Sequence, residues 1–274
     1  MNEITIPCTV GVLTKNSGAT LARALESVKH FSDIVICDGG SSDNTLDIAK
    51  RYGARIIEQD KKFLDPQGRI ADFAAVRNQT LDAAKEQWFL FLDSDEYISK
   101  ELESEIRRIT LERSEGVFTV YRRYMHRGEE VMCSTTYPNP NRRLFARASV
   151  TGFIKKVDER IAFKDGVVPE DIYGALYVPV DGTQGPSPSK TAYYVGLHIE
   201  QLKVSSKSFY KDFFKIVYRN SAVSMLYFLR LIMIYLRCRK KKMPLRIELN
   251  RHLYHIRFIA AMWRRRREFR RYKA

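Results

Sequence analysis

The sequence predicts an α/β fold, a mostly parallel sheet with helices on both faces followed by a C-terminal amphipathic helical extension. Three observations carry that expectation. Short β-rich runs alternate with helical patterns through the first half of the chain. Two of those runs stop at carboxylates, Asp38 and Asp93, each followed by a polar turn. The last third gathers an apolar run and most of the net positive charge. With 274 residues, 45% of them hydrophobic, the chain can bury one sizeable core plus an appendage, expected as 1–205 and 206–274.

The elements read in order as follows. Cys8–Leu13 is a buried strand, and Leu21, Leu25 and Val28 mark a helix by their spacing. Ile34–Cys37 is a second strand, ending in Asp38-Gly39-Gly40-Ser41-Ser42-Asp43. Ser42 or Asp43 can cap the helix over Asn44–Tyr52. A short strand at Ala54–Ile57 precedes a polar loop, Gln59–Gly68, and a helix over about Asp72–Glu86. Trp88-Phe89-Leu90-Phe91-Leu92 is apolar on both faces, as a central strand is, and stops at Asp93-Ser94-Asp95-Glu96. Ser99 caps a charged helix to about Arg113, Gly116–Tyr124 is a strand, and short proline-punctuated strands follow.

Cys8, Cys37, Cys133 and Cys238 form no CxxC pair, so neither a disulfide framework nor a zinc site is expected and a reducing cytosol fits. The N-terminus reads as a first strand rather than a signal peptide. There is no GxxxxGK[ST] and no GxGxxG.

Asp93 and Asp95 leave the C-terminal end of a strand, where open parallel sheets collect ligands. Hard oxygen ligands at this spacing suit Mg²⁺ or Mn²⁺ shared with substrate phosphates, although an acidic turn that only caps the next helix has the same appearance. Asp38 is a second acidic strand end. Its glycine-containing turn can admit a nucleotide or be an ordinary strand-to-helix connection.

Taken together, Thr14-Lys15-Asn16, Ile34 to Thr45 (IVICDGGSSDNT), Arg77-Asn78 and Phe89 to Glu96 (FLFLDSDE) resemble the ordered motifs of family 2 inverting glycosyltransferases of the GT-A fold. The similarity is to lipopolysaccharide-core enzymes with a TKNE…DSGSTD…RN…LDADE series. It covers roughly the first 160 residues, and four motifs in order are more specific than any one. Ser17 departs from it, standing where the family has Glu.

The resemblance implies an enzyme, a hexosyltransferase, with 1–98 as the nucleotide-sugar-binding half and 99–205 as the acceptor-side half. Thr14 and Asn16 would line the base pocket, with Gly40 in its turn, and Asp38 would bond the base, usually uracil. Asp93 and Ser94 would lie near the ribose and metal, with Asp95 the direct ligand of Mg²⁺ or Mn²⁺. Arg77 could reach the diphosphate or be a solvated helix arginine. Arg142 to Arg147 (RRLFAR), followed by Val157-Asp158-Glu159, resembles the family's RLFRR…VHE segment. Glu159 is then the first candidate base for the acceptor hydroxyl and Asp158 the second, ahead of Glu170 and Asp171. His198 resembles a downstream histidine that would complete the metal shell or touch the diphosphate, and a structural histidine is the alternative.

Of the formal charge of +15, residues 237–274 carry +13, from 15 Lys/Arg against Glu248 and Glu268. The body is left with +2. The run 221–236, SAVSMLYFLRLIMIYL, has 16 residues with Arg230 inside, short of the about 20 that a span needs. A core helix with a solvated tail is one reading. The one carried forward is a membrane-association region on anionic headgroups, with a peripheral location on the cytoplasmic face of the cell membrane and a glycolipid or saccharide acceptor. A polyprenyl-phosphate acceptor is an alternative. A nucleic-acid-binding protein leaves the acidic strand ends unexplained, and a nucleotidyltransferase lacks its Gly/Arg/Lys-rich loop after the first strand.

Overall fold

The structure, a computed structural model, describes residues 5–180, 188–202 and 209–271. In chain order the elements are β1 (Ile6–Thr14), α1 (Leu21–Glu26), β2 (Phe31–Asp38), α2 (Thr45–Arg51), β3 (Arg55–Glu58), α3 (Phe73–Asp82), β4 (Trp88–Asp93), β5 (Tyr97–Ile98), α4 (Lys100–Glu112), β6 (Val117–His126), β7 (Glu129–Val131), β8 (Asn139–Ala146), β9 (Val150–Ile154), β10 (Arg160–Phe163), β11 (Glu170–Pro179), α5 (Pro188–Gln201), α6 (Phe209–Arg237) and α7 (Leu245–Arg271). The chain divides into two compact units. One comprises the described residues of Met1–Arg123 with Pro138–Pro179, the other those of Tyr124–Tyr137 with Val180–Ala274.

The α/β class predicted above is present. The main sheet runs β3-β2-β1-β4-β8-β6-β11-β5, with β7 beside β6. β3, β2, β1 and β4 pair in parallel, whereas β8 pairs antiparallel with both β4 and β6, so the sheet is mixed. Pairing direction after Asp93 depends on where the chain returns, which hydrophobic period does not encode.

Helices cover both faces of this sheet. Phe89 and Phe91 point to one side of β4 and pack with Ala74, Leu81 and Ala84 of α3 and its C-terminal turn. Successive strand side chains alternate, so Trp88 faces the other way, where its indole N–H donates to the Arg113 carbonyl at the end of α4 (3.2 Å). Helix α4 buries Leu102, Ile106 and Ile109 at its i, i+4, i+7 positions, and the Ser99 hydroxyl accepts from the Leu102 amide as the expected cap. For α3 the cap is Asp72, which accepts from the Ala75 amide.

In the second unit α5, α6 and α7 share a core of Val195, Ile199, Phe213, Ile216, Phe258 and Met262. The segment after β7 is tied to the helices by Glu248, whose carboxylate accepts from the backbone amide and hydroxyl of Thr135. Contrary to the sequence expectation, Cys133 and Cys238 form a disulfide, with Cα atoms 6.6 Å apart. Their separation of 105 residues hides the pair from any spacing rule. Cys8 and Cys37 are free and buried in the strands.

Candidate active site

Parallel register brings the predicted motifs to one end of the sheet. Thr14 lies opposite Asp38 across β1 and β2, and Leu13 lies opposite Asp93 across β1 and β4. The strand ends that carry Thr14, Asp38 and Asp93 are therefore neighbours at the carboxyl edge, the edge where parallel sheets bind ligands.

The turn after β2 is built around Asp38. Its buried carboxylate accepts from the Thr14 hydroxyl (2.8 Å) and the Ser41 hydroxyl (2.6 Å) on one oxygen, and from the amides of Gly40 (2.9 Å) and Ser41 (2.7 Å) on the other. A carboxylate offers about four such positions, and here four donors of its own turn and of β1 meet it. Gly40 has φ +80°, a left-handed conformation that favours glycine, with open space where a Cβ would sit. Asn16, at φ 51°, donates its backbone N–H to the Ser41 hydroxyl and accepts from the Ser42 amide, which joins the turns after β1 and β2. Ser17, the departure from the family pattern, is buried with its hydroxyl 3.0 Å from that of Ser94. The third carboxylate here, Asp43, accepts from Gly18 and Thr45 and starts α2.

The turn after β4 carries the second constellation. Glu96 closes it, donating its amide to the Asp93 carbonyl (2.9 Å) while its carboxylate accepts from the Asp93 amide (3.2 Å). Ser94 and Asp95 sit at the tip, half-buried. Arg77, read from the sequence as reaching a diphosphate or as a solvated helix arginine, is not in solvent. It is buried, and its Nη2 donates to Asp93 Oδ1 (2.5 Å) while its Nε donates to Glu159 Oε1 (2.6 Å). The reason is its place on α3, whose inner face meets the sheet. Asn78, the next residue, clips β9 through both amide atoms, donating to the Phe153 carbonyl (3.0 Å) and accepting from the Phe153 amide (2.7 Å). The turn between β9 and β10 carries Asp158 and Glu159, so the Arg77-Asn78 pair fixes both the strand and the acid that follows it. Asp158 is exposed with φ 50°.

Arg143 and Glu96 were not singled out in the sequence. Arg143 on β8 donates to Asp93 Oδ2 (3.2 Å) and Glu96 Oε1 (3.2 Å), and Arg122 donates to the same Glu96 oxygen (2.6 Å). Signs alternate along the chain Glu159, Arg77, Asp93, Arg143, Glu96, Arg122. Two guanidiniums approach the Phe91 ring, Arg77 at 4.7 Å and Arg143 at 4.3 Å from its centroid. Burial would raise the pKa of Asp93, but Arg143 and Arg77 outweigh it and hold the carboxyl well below the usual carboxylate range.

Among the described residues no group of three or more His, Cys, Asp or Glu is arranged to hold a metal. Mg²⁺ sharing a diphosphate needs only one or two protein carboxylates, which Asp95 and Asp93 can supply. His198 belongs to the other unit, on α5, where its Nδ1 contacts the Tyr194 carbonyl (2.9 Å) and the Tyr254 hydroxyl (2.8 Å). Tyr254 and Phe258 meet its ring edge-on, as around a core histidine.

Residues 9–158 match the family model described as Glycosyl transferase family 2. An uncharacterized glycosyltransferase of Rickettsia prowazekii is 29% identical over 208 residues, covering 73% of this chain and 64% of that protein. One from Rickettsia felis is 29% identical over 209 residues, covering 73% and 66%. The chain thus spans just under two thirds of the length of these relatives. Among solved structures, S. aureus TarS 1–349 in complex with UDP-GlcNAc aligns with a TM-score of 0.46 at 16% identity, covering 72% of this chain and 67% of that one. The chain belongs to glycosyl transferase family 2.

Proposed function

We propose that the protein is an inverting glycosyltransferase that moves a sugar from a nucleotide-sugar donor, UDP-linked in our reading, to a glycolipid or other lipid-linked acceptor. The setting we infer is cell-envelope polysaccharide or lipopolysaccharide synthesis at an anionic membrane surface. The observation that carries the enzymatic part is the Arg77 bridge, which joins the end of the donor strand at Asp93 to the candidate base Glu159.

In this reading the base occupies the pocket shaped by Asp38, Thr14, Asn16 and Gly40, and the diphosphate lies over the Asp93-Ser94-Asp95 turn. Asp95, with Asp93 beside it, would hold Mg²⁺ or Mn²⁺, which supplies charge neutralisation for the departing nucleoside diphosphate. Glu159 keeps one oxygen on Arg77 and uses the other to take the acceptor hydroxyl proton. The freed oxygen lone pair attacks the anomeric carbon from the face opposite the diphosphate. The carbon–oxygen bond to the diphosphate breaks, its electron pair leaves with the nucleotide, and the configuration inverts. Arg77 acts as a positioning residue for Asp93 and Glu159 rather than as a phosphate clamp.

A polyprenyl phosphate is the second acceptor to try, because its phosphate oxygen needs no base. The test is product analysis with a panel of nucleotide-sugars and lipid-linked acceptors. Release of nucleoside diphosphate with transfer to lipid is expected. Pyrophosphate release, or no turnover with any donor, would refute the assignment.

A further inference from the structure

We propose that the outward faces of α6 and α7 form a membrane-contact surface that lies flat on a bilayer carrying anionic lipid headgroups. This specifies the membrane side of the function proposed above and rests on that reading for its purpose, while its support comes from the second unit alone. On α6, Met225, Leu229, Ile232 and Leu236 recur at spacings of four, three and four residues, so they share one helix face, and they are 59, 53, 42 and 80% exposed. On α7, Leu249, Ile256 and Trp263 recur every seven residues and are also exposed.

The four α6 side chains stand outside the core that holds the helices together, whereas Trp263 is 39% exposed but also packs against Phe213 of α6, with ring centroids 5.1 Å apart. The seam with α7 is made on another face of α6, by Ser224 with His252 (2.7 Å) and Asn220 with His255 (2.8 Å), and by the core around Phe213, Ile216, Phe258 and Met262. Exposed apolar surface this extended marks an interaction site.

Charge selects the occupant. Arg237, Arg239, Lys240, Lys241 and Lys242 cluster where α6 ends, and Lys211, Lys215 and Arg219 ride on its first half. A second copy of the chain would bring these cations against their own kind, whereas anionic headgroups neutralise them while acyl chains take the leucines. No helix among the described residues is long and apolar enough to cross a membrane. Arg230 interrupts the run and donates to the Tyr137 carbonyl. The geometry is therefore that of a helix pair resting in the headgroup region.

The chain carries its own probe. It has two tryptophans; Trp88 is 2% exposed in the sheet, so a change in emission on binding reports Trp263. The full chain is mixed with vesicles of phosphatidylcholine alone or with phosphatidylglycerol added, and flotation and tryptophan emission are recorded. The expected result is a vesicle-bound fraction roughly tenfold higher or more on the anionic vesicles, with a blue shift, and loss of both in the L229Q/I232Q/L236Q variant. Equal indifference to both vesicles would overturn the proposal. So would wild-type-like binding by the triple variant, since the polycation alone would then suffice, or a concentration-dependent dimer abolished by the triple variant without vesicle binding. UDP binding is measured on the same samples. A chain that binds UDP and ignores vesicles sinks this inference alone, and one that binds vesicles but no nucleotide with any metal sinks the enzymatic reading alone.

Discussion

Arg77→Met replaces the buried guanidinium by a side chain of similar length with no charge, leaving Asp93 and Glu159 facing an apolar group. Removing one partner of a buried ion pair costs about 3–5 kcal/mol, because the other charge stays desolvated. Asp93 is 36% exposed at its side chain and keeps Arg143, so the lower end, about 3 kcal/mol, applies. With a urea slope of about 1–3 kcal/mol per molar, the midpoint of unfolding falls by roughly 1–3 M. The pH dependence has a definite sign. In the wild type the Asp93 carboxyl is held below its unfolded value, so its stabilisation is complete above about pH 4 and is lost as pH falls through the folded value. In the variant Asp93 loses one of its two neighbouring cations and its folded value rises, so protonation relieves it. The gap between variant and wild type therefore narrows from pH 7 to pH 4. Urea titrations at both pH values measure this. A gap under about 1 kcal/mol at pH 7, or one that does not change with pH, would refute the bridge as the element that organises the site.

Glu159→Gln keeps an oxygen for Arg77 but cannot take a proton, so turnover should fall about 10²- to 10⁴-fold while the urea midpoint shifts far less than for Arg77→Met. If Asp158→Asn shows the larger loss of turnover, the base has been misassigned. Gly40→Ala meets no atoms but strains a φ of +80°, so it should cost about 1 kcal/mol of stability and weaken nucleotide binding through the turn; equal stability would mean that the turn tolerates another backbone conformation.

Much of this arrangement was legible in the residues alone because it is local. The apolar runs ending at Asp38 and Asp93 became β2 and β4, and Ser99 and the leucine–isoleucine spacing of α4 did what their patterns predict. The Arg77-Asn78 pair was readable as a motif but not as a mechanism. Its partners, Glu159 and Phe153, lie 82 and 75 residues away, and only the packing of α3 against β9 brings them together. Arg143 was readable only as part of the Arg142 to Arg147 segment for the same reason, since its meeting with Asp93 follows from the antiparallel pairing of β8 with β4. Asp38 shows a different limit. Sequence can place a carboxylate at a strand end, but whether it serves a ligand or its own turn depends on the four donors folded around it. In the C-terminal region the apolar run of 221–236 was visible, whereas the full extent of α6, Phe209–Arg237, and its pairing with α7 were not. The boundaries of that run are set by hydrophobicity and those of the helix by packing.

If the strand-end carboxylates form a metal-assisted nucleotide-sugar site, thermal unfolding of wild type and Asp95→Ala with UDP, with and without Mn²⁺, will show it. A ligand bound only by the folded state stabilises it by about 2.7 kcal/mol at 100 times its dissociation constant. Wild type should gain a Tm increase with UDP that depends on Mn²⁺, and Asp95→Ala should lose that increase while unfolding normally without ligand. No Mn²⁺-dependent gain in the wild type, or an undiminished gain in Asp95→Ala, would mean that Asp95 does not hold a metal at a nucleotide site.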